Sequence, residues 1–276
     1  MALAVMRYLI SGLLMLPFTS CFPARPLPAG RLPANLPVAQ AAVIPKISPI
    51  ASPAVTPPKV TMREISGITF EGVTFDSREH RLVVADQASG PGSIFADSAA
   101  AARATGGIAA VNAGFFTPEG DPLGLVISAG KISGSWNSAS SLGSGLWSES
   151  RSGQSAIARR GTLTRAEAIT KRELIQAGPL LVENSRAVGG LEATKSSVRT
   201  LILWDGGTRW WIGRSSPCTL AALGQALTAW PIRHALNLDG GRSSDLWISE
   251  NVSGGPLLRR TSWNRPVRNF LILVAK

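Results

Sequence analysis

From Val60 onward the chain is a succession of short β-type runs joined by tight turns, and this constrains its fold more than any other feature. Val73-Thr74-Phe75-Asp76 and Arg81 to Ala85 are two such runs across one turn. Arg199 to Trp204 and Thr208 to Gly213 make a hairpin over Asp205-Gly206-Gly207. Ile108 to Val111, Leu123 to Ile127, Leu180 to Val182 and Val267 to Val274 read as further strands. Helices are few. Asp97 caps an alanine-rich helix that Gly106-Gly107 stops, and Arg165 to Gln176 reads as a second. Pro217 or Thr219 opens a third, reaching about Trp230 with Leu220, Leu223 and Leu227 on one face. Residues 133–153, rich in Ser and Gly, read as a long loop. Strands come as hairpins rather than βαβ units. The expected fold is therefore α+β: one domain, residues 60–276, of mixed or antiparallel sheet with a few flanking helices.

The N-terminus reads differently. Arg7 precedes an apolar stretch from Tyr8 to Phe18, then Thr19-Ser20-Cys21. That is a signal-peptide core, too short to span a bilayer comfortably. The small residues before Cys21 resemble a bacterial lipobox, with Phe18 in place of the usual Leu. Residues 1–20 are thus expected to be a signal peptide, with Cys21 lipidated; an ordinary cleaved signal and an uncleaved anchor are the alternatives. All three take the domain out of the cytoplasm, to the periplasm or cell surface. Residues 22–59 hold ten prolines and no acid, and read as a spacer that cannot bury a core.

The formal charge of +11 arises partly from that leader. With Arg7, Arg25, Arg31, Lys46 and Lys59 set aside, 23 basic residues face 17 acidic ones, a net of +6. No helix-turn-helix, zinc or RNA-recognition pattern accompanies the charge, so anionic envelope polymers or phosphorylated sugars are better partners than nucleic acid. The two histidines, His80 and His234, exclude a His-rich zinc site, and no Gly-x-Ser-x-Gly elbow is present. Cys218, left unpaired by the use of Cys21, reads as a small buried apolar residue.

The chemistry concentrates in Ala235 to Trp247. An apolar strand delivers Asp239 into Gly240-Gly241-Arg242-Ser243-Ser244. The glycines permit a tight turn and close approach, and the N–H groups with the two hydroxyls could make an anion-binding concavity. The simpler reading is an Asp-Gly hairpin turn. Val111-Asn112-Ala113-Gly114 repeats the design, a buried strand ending in a polar residue and small ones. Were the two strands close in one sheet, Asn112 and Asp239 would meet at its edge, an amide beside a carboxylate, which suits sugar recognition because the amide both donates to and accepts from hydroxyls.

These segments carry a resemblance. Val111 to Phe116 with Pro122 to Ile127, Gln176 to Val182, Arg199-Thr200, Ala235 to Ser244 and Arg265-Pro266-Val267-Arg268-Asn269 stand in the order found in the phosphodiester glycosidase family. The likeness covers about residues 70–275 and departs at Ala113 and Arg242, where the family often has glycine. It implies hydrolysis of a sugar-1-phosphodiester, N-acetylglucosamine-like, at the anomeric carbon, with envelope glycan or exopolysaccharide as substrate. It also implies functional positions at Asn112, Arg199, Asp239 and the Gly240-Gly241 turn.

Chemistry makes this economical. Ordinary glycosidases use two carboxyl groups, one of them to protonate a poor leaving group. A phosphate leaves without a proton, so one carboxylate could suffice, and the remaining demand is charge stabilisation. Asp239 is expected to be nucleophile or general base, Arg199 a phosphate clamp and Asn112 a holder of a sugar hydroxyl. Gly240, Gly241, Arg242, Ser243, Ser244, Phe116 and Arg268 are expected to line the substrate site. Trp136, Trp147, Trp247 and Trp263 are candidates for stacking on sugar rings, and Glu119 and Asp121 for the rim. No cofactor is predicted. Two rival readings are a non-catalytic glycan-binding lipoprotein and a metal-dependent phosphodiesterase, the latter holding a divalent cation on Asp239 with Asp121 or Asp245.

Overall fold

The computed structural model describes residues 54–276; the expected signal peptide, Cys21 and most of the Pro-rich segment expected to be a spacer lie outside the described residues. In chain order the strands are β1 Lys59–Ile65, β2 Ile68–Asp76, β3 His80–Asp86, β4 Ala109–Asn112, β5 Val126–Ser128, β6 Lys131–Ser133, β7 Gly145–Glu149, β8 Ser155–Arg159, β9 Glu173–Ala177, β10 Leu180–Glu183, β11 Arg186–Ala187, β12 Ser197–Trp204, β13 Arg209–Cys218, β14 His234–Asn237, β15 Leu246–Ile248, β16 Leu257–Arg259 and β17 Asn269–Ala275. The α-helices are α1 Ser98–Ala104, α2 Arg165–Ala168 and α3 Leu220–Leu227.

Three sheets result, and every ladder in them is antiparallel. The first runs β1-β2-β13-β12-β14-β10-β11, the second β16-β15-β4-β17-β3 and the third β6-β5-β9-β7-β8. The period-2 alternation of each strand explains how they assemble. One set of side chains, including Ile202, Leu236, Val111, Leu271, Trp147 and Ile175, meets in a common core drawn from all three sheets. The alternate set faces outward onto a helix. Leu201 and Leu203 pack with Leu223 and Leu227 of α3, while Ala110 and Ile272 pack with Ala101 and Ala102 of α1. Leu146 and Leu174 pack with Ala168 of α2. Each helix thus covers the outer face of one sheet.

Two expectations about this region need correction. The helix that Thr164 opens with a capping box lasts only to Ala168, and Glu173 to Ala177 is instead a strand buried at all five residues between β5 and β7. A short apolar run fits both a helix and a buried strand, and the place in the middle of a sheet decides it. The Ser- and Gly-rich segment is not one long loop, for it contains β7, whose Trp147 is fully buried. Its glycines serve packing: a Cβ at Gly145 would sit 2.5 Å from Leu236 Cδ1.

Candidate active site

The chain does not turn back on itself at Asp239. β14 lies between β12 and β10 of the first sheet, whereas β15 pairs with β4 and β16 of the second. Residues 238–245 are therefore a crossing from one sheet to another, and the hairpin reading is wrong because the strand after the glycines has other partners. Asn112 ends β4 and Asp239 lies two residues beyond the end of β14, strands of different sheets, and the two meet all the same at the crossing.

Asn112 organises that meeting. Its Nδ2 donates to the Asp239 carbonyl at 2.5 Å, and its Oδ1 accepts from Thr200 Oγ1 at 2.8 Å and from the Asp245 N–H at 3.0 Å. The Asp239 N–H donates to Ala113 O at 2.9 Å. The Thr200 hydroxyl also lies 3.0 Å from Ser244 Oγ. With 1% of its surface exposed, Asn112 directs its amide at protein groups and fixes the backbone that carries the acid. Gly240 is required for space, since a Cβ would fall 2.5 Å from Val198 O of β12. Gly241 is required for conformation, at φ +60°.

The Asp239 carboxylate is 9% exposed. It accepts hydrogen bonds from the Ser243 hydroxyl and the Gly240 N–H. Arg265 Nη2 approaches Oδ2 at 3.2 Å, and the same guanidinium donates from Nε to Ser243 Oγ at 2.8 Å. Burial raises the Asp239 pKa above its ordinary value; Ser243, Arg265 and the Gly240 N–H oppose that shift without cancelling it. Arg265 is 43% exposed and lies over Phe116, with Cζ 4.5 Å from the ring centroid. One face of this cation is thus held by carboxylate, hydroxyl and ring, while the rest meets solvent. A buried carboxylate of raised pKa beside a half-open guanidinium can act as base or nucleophile next to an anion-binding group.

The remaining predicted positions divide. Gly240 and Ser243 meet the carboxylate, Phe116 lies against Arg265, Gly241 shapes the turn, Ser244 meets the Thr200 hydroxyl, and Arg242 is exposed with its Nε on Trp263 O at 3.0 Å. Arg199 is turned elsewhere. It shares the odd-numbered face of β12 with Leu201 and Leu203, and its described hydrogen bonds go to Lys195 O and Cys218 O. Arg268, 4% exposed, pairs with Asp86 at 2.9 and 3.1 Å and donates to Gly120 O at 3.0 Å, which ties β3 to the turn after Phe116. His234 stacks on Trp204 at the end of β14 remote from Asp239. Glu119 and Asp121 are exposed, and Cys218 is a buried free thiol. The Asp245 carboxylate is taken by Ser98 and Arg260, and among the described residues no group of three or more His, Cys, Asp or Glu could hold a metal ion. The residue that sequence reasoning passed over is Arg265. Its only signal was its place in the segment before the last strand, where Arg268 looked equally good.

A family model described as phosphodiester glycosidase matches residues 105–274. No curated protein matches the chain. Among solved structures, a hypothetical protein from Synechocystis is similar at TM-score 0.57 and 18% identity, over 79% of this chain and 61% of that one. The catalytic domain of zebrafish N-acetylglucosamine-1-phosphodiester α-N-acetylglucosaminidase, auto-inhibited by its pro-peptide, is similar at TM-score 0.54 and 16% identity. That match covers 81% of this chain and 84% of the zebrafish one. At these identities the likeness speaks to the fold. This chain spans under two thirds of the Synechocystis protein.

Proposed function

The chain belongs to the phosphodiester glycosidase family, and on that premise we propose that it hydrolyses the anomeric C–O bond of sugar-1-phosphodiesters, with Asp239 as the reacting carboxylate. The observation that carries this is the buried Asp239 carboxylate held against the half-exposed Arg265, whose guanidinium also binds Ser243. In the reaction the anomeric carbon gains an oxygen, either from Asp239 itself, in a glycosyl ester that water then cleaves to free the carboxylate, or directly from a water whose proton Asp239 takes. The C–O bond to phosphorus breaks at carbon, and its electron pair leaves with the phosphate. A phosphodiester oxygen needs no proton to depart, so no second carboxyl group is demanded. The charge that grows on the phosphate falls to the open side of Arg265, the role sequence reasoning gave to Arg199. Asn112, with its amide occupied, acts by holding the Asp239 backbone.

The substrate class we propose is an N-acetylglucosamine-like sugar phosphodiester of an envelope glycan or exopolysaccharide. The leader pattern from Arg7 to Cys21 supports export and a lipid anchor at the membrane, with the Pro-rich spacer holding the domain off it. The test is hydrolysis of an N-acetylglucosamine-1-phosphodiester in 18O water, with and without chelator. Label in the sugar, activity that survives chelation and its loss in Asp239→Asn are the expected results. Label in the phosphate would assign the cut to phosphorus and refute the proposal.

A further inference from the structure

Of the four tryptophans that sequence reasoning offered as sugar platforms, three are occupied. Trp147 is fully buried, Trp136 packs beside the Leu125 and Leu146 cluster, and Trp247 is half-buried beneath the Arg103 guanidinium. Trp263 is 78% exposed, the largest exposure of any large apolar side chain among the described residues. A flexible loop would explain such exposure simply, but this loop is pinned. Trp263 stands in the turn Thr261 to Asn264, closed by the Asn264 N–H on Thr261 O at 3.1 Å and by the Thr261 N–H on Asn264 Oδ1 at 2.8 Å. The turn is in turn fastened to the crossing that carries Asp239. Asn264 Nδ2 donates to Ser244 O at 2.6 Å, the Arg265 N–H to Arg242 O at 2.9 Å and Arg242 Nε to Trp263 O at 3.0 Å. A rigid turn thus holds an indole in water two residues from the arginine on the candidate catalytic carboxylate.

We propose that Trp263 is a stacking platform for a second sugar ring of the substrate, and that the site therefore takes a repeating glycosyl-phosphate chain. The inference rests on the function proposed above. Two residues of chain span about 7 Å at most, which bounds the distance between the Trp263 and Arg265 backbones, and the proposed platform sits a sugar unit or two from the bond to be cut. An indole face is matched by the C–H face of a pyranose, which a rigid aromatic binds at little entropic cost. Arg242 supplies the charge complement. Its Nε is taken by Trp263 O, and among the described residues its Nη groups have no partner, which leaves them to a phosphate of the adjoining repeat. Sugar and phosphate in alternation meet aromatic and cation in alternation: Arg265, Trp263, Arg242.

The test uses oligomers of N-acetylglucosamine-1-phosphate of one to six units, each closed at its terminal phosphate as the methyl phosphodiester, with kcat and KM from turnover and binding from calorimetry. Wild type is expected to gain about tenfold in kcat/KM between one unit and three, chiefly through KM, and Trp263→Ala to lose most of that ratio while Trp263→Phe keeps it. A thermal melt equal to wild type excludes a folding defect in the variant. Equal losses on short and long oligomers in Trp263→Ala, or no length dependence in wild type, would overturn the platform. Length-dependent binding without turnover would sustain the platform and overturn the proposed hydrolysis, while absence of both would overturn the two together.

Discussion

Replacement of Arg265 by Gln separates the two roles assigned to that side chain. The first is electrostatic. A full charge about 4 Å from a carboxylate is worth about 4 kcal/mol at an effective dielectric of 20. Arg265 is 43% exposed, so water screens much of this and leaves about 1–2 kcal/mol. Burial raises the Asp239 pKa and Arg265 opposes it, so without the cation the carboxylate holds its proton to still higher pH. A base or nucleophile must be ionised to act. The acid limb of the kcat/KM profile therefore moves to higher pH in Arg265→Gln. The second role is stabilisation of charge on the departing phosphate, and its loss lowers the pH-independent plateau by about 100-fold.

Arg265→Lys sharpens the test. A lysine restores the positive charge and should return the acid limb toward its original position. It cannot reach Ser243 and Asp239 at once, as Nε and Nη2 do, so the plateau recovers only in part. The assay is the pH dependence of kcat/KM on a sugar-1-phosphodiester for the three proteins. An acid limb that stays in place or moves down in Arg265→Gln would refute the reasoning, for the group titrating in catalysis would not be the one Arg265 contacts.

Asp239→Asn should lose turnover and yet melt no lower than wild type at neutral pH. Because burial raises its pKa, the folded state binds the Asp239 proton more tightly than the unfolded chain, so stability falls as pH rises from the ordinary aspartate value of 3.8 through the raised one. The neutral amide removes that cost, at about 2–4 °C in Tm per kcal/mol relieved, and the gain should vanish below pH 3.8. Gly240→Ala should cost about 1–3 kcal/mol in denaturant unfolding and most of the activity, because its Cβ would press on Val198 O and push the crossing off β12; wild-type stability and turnover would show that the close approach is not needed.

What was legible in the sequence was mostly local. Asp97 and Thr219 cap α1 and α3 as their side chains suggested, and the hairpin of β12 and β13 follows from its alternation and glycine turn. The misreadings came where two local meanings share one pattern. Leu174-Ile175 suits a helix or a buried strand, and glycines mark loops or tight packing, as Gly145 against Leu236 shows. Which arginine faces Asp239 is different in kind. Arg199 is brought alongside by β12, but the strand's period-2 alternation turns it toward the α3 side, a point the apolar Leu201 and Leu203 already implied. Arg265 arrives only through the path of the chain after β16, 26 residues from the carboxylate, and no spacing rule encodes that return.

Asn112 shows the same boundary more sharply. Its residue type and strand-end position were enough to place an amide beside the acid. They were not enough to say which atom of the acid it would meet. It meets the backbone carbonyl, because β4 and β14 belong to different sheets and cross at their ends instead of pairing edge to edge. The distinction changes the chemistry. An amide on the carboxylate would tune its charge or reach past it to a sugar. An amide on the carbonyl, with its oxygen filled by Thr200 and Asp245, fixes where the carboxylate stands and leaves its charge to Ser243, Gly240 and Arg265. The site thus divides its labour. The Asn112 network fixes position from the buried side, and the pinned segment from Thr261 to Arg265 supplies charge and surface from the open side.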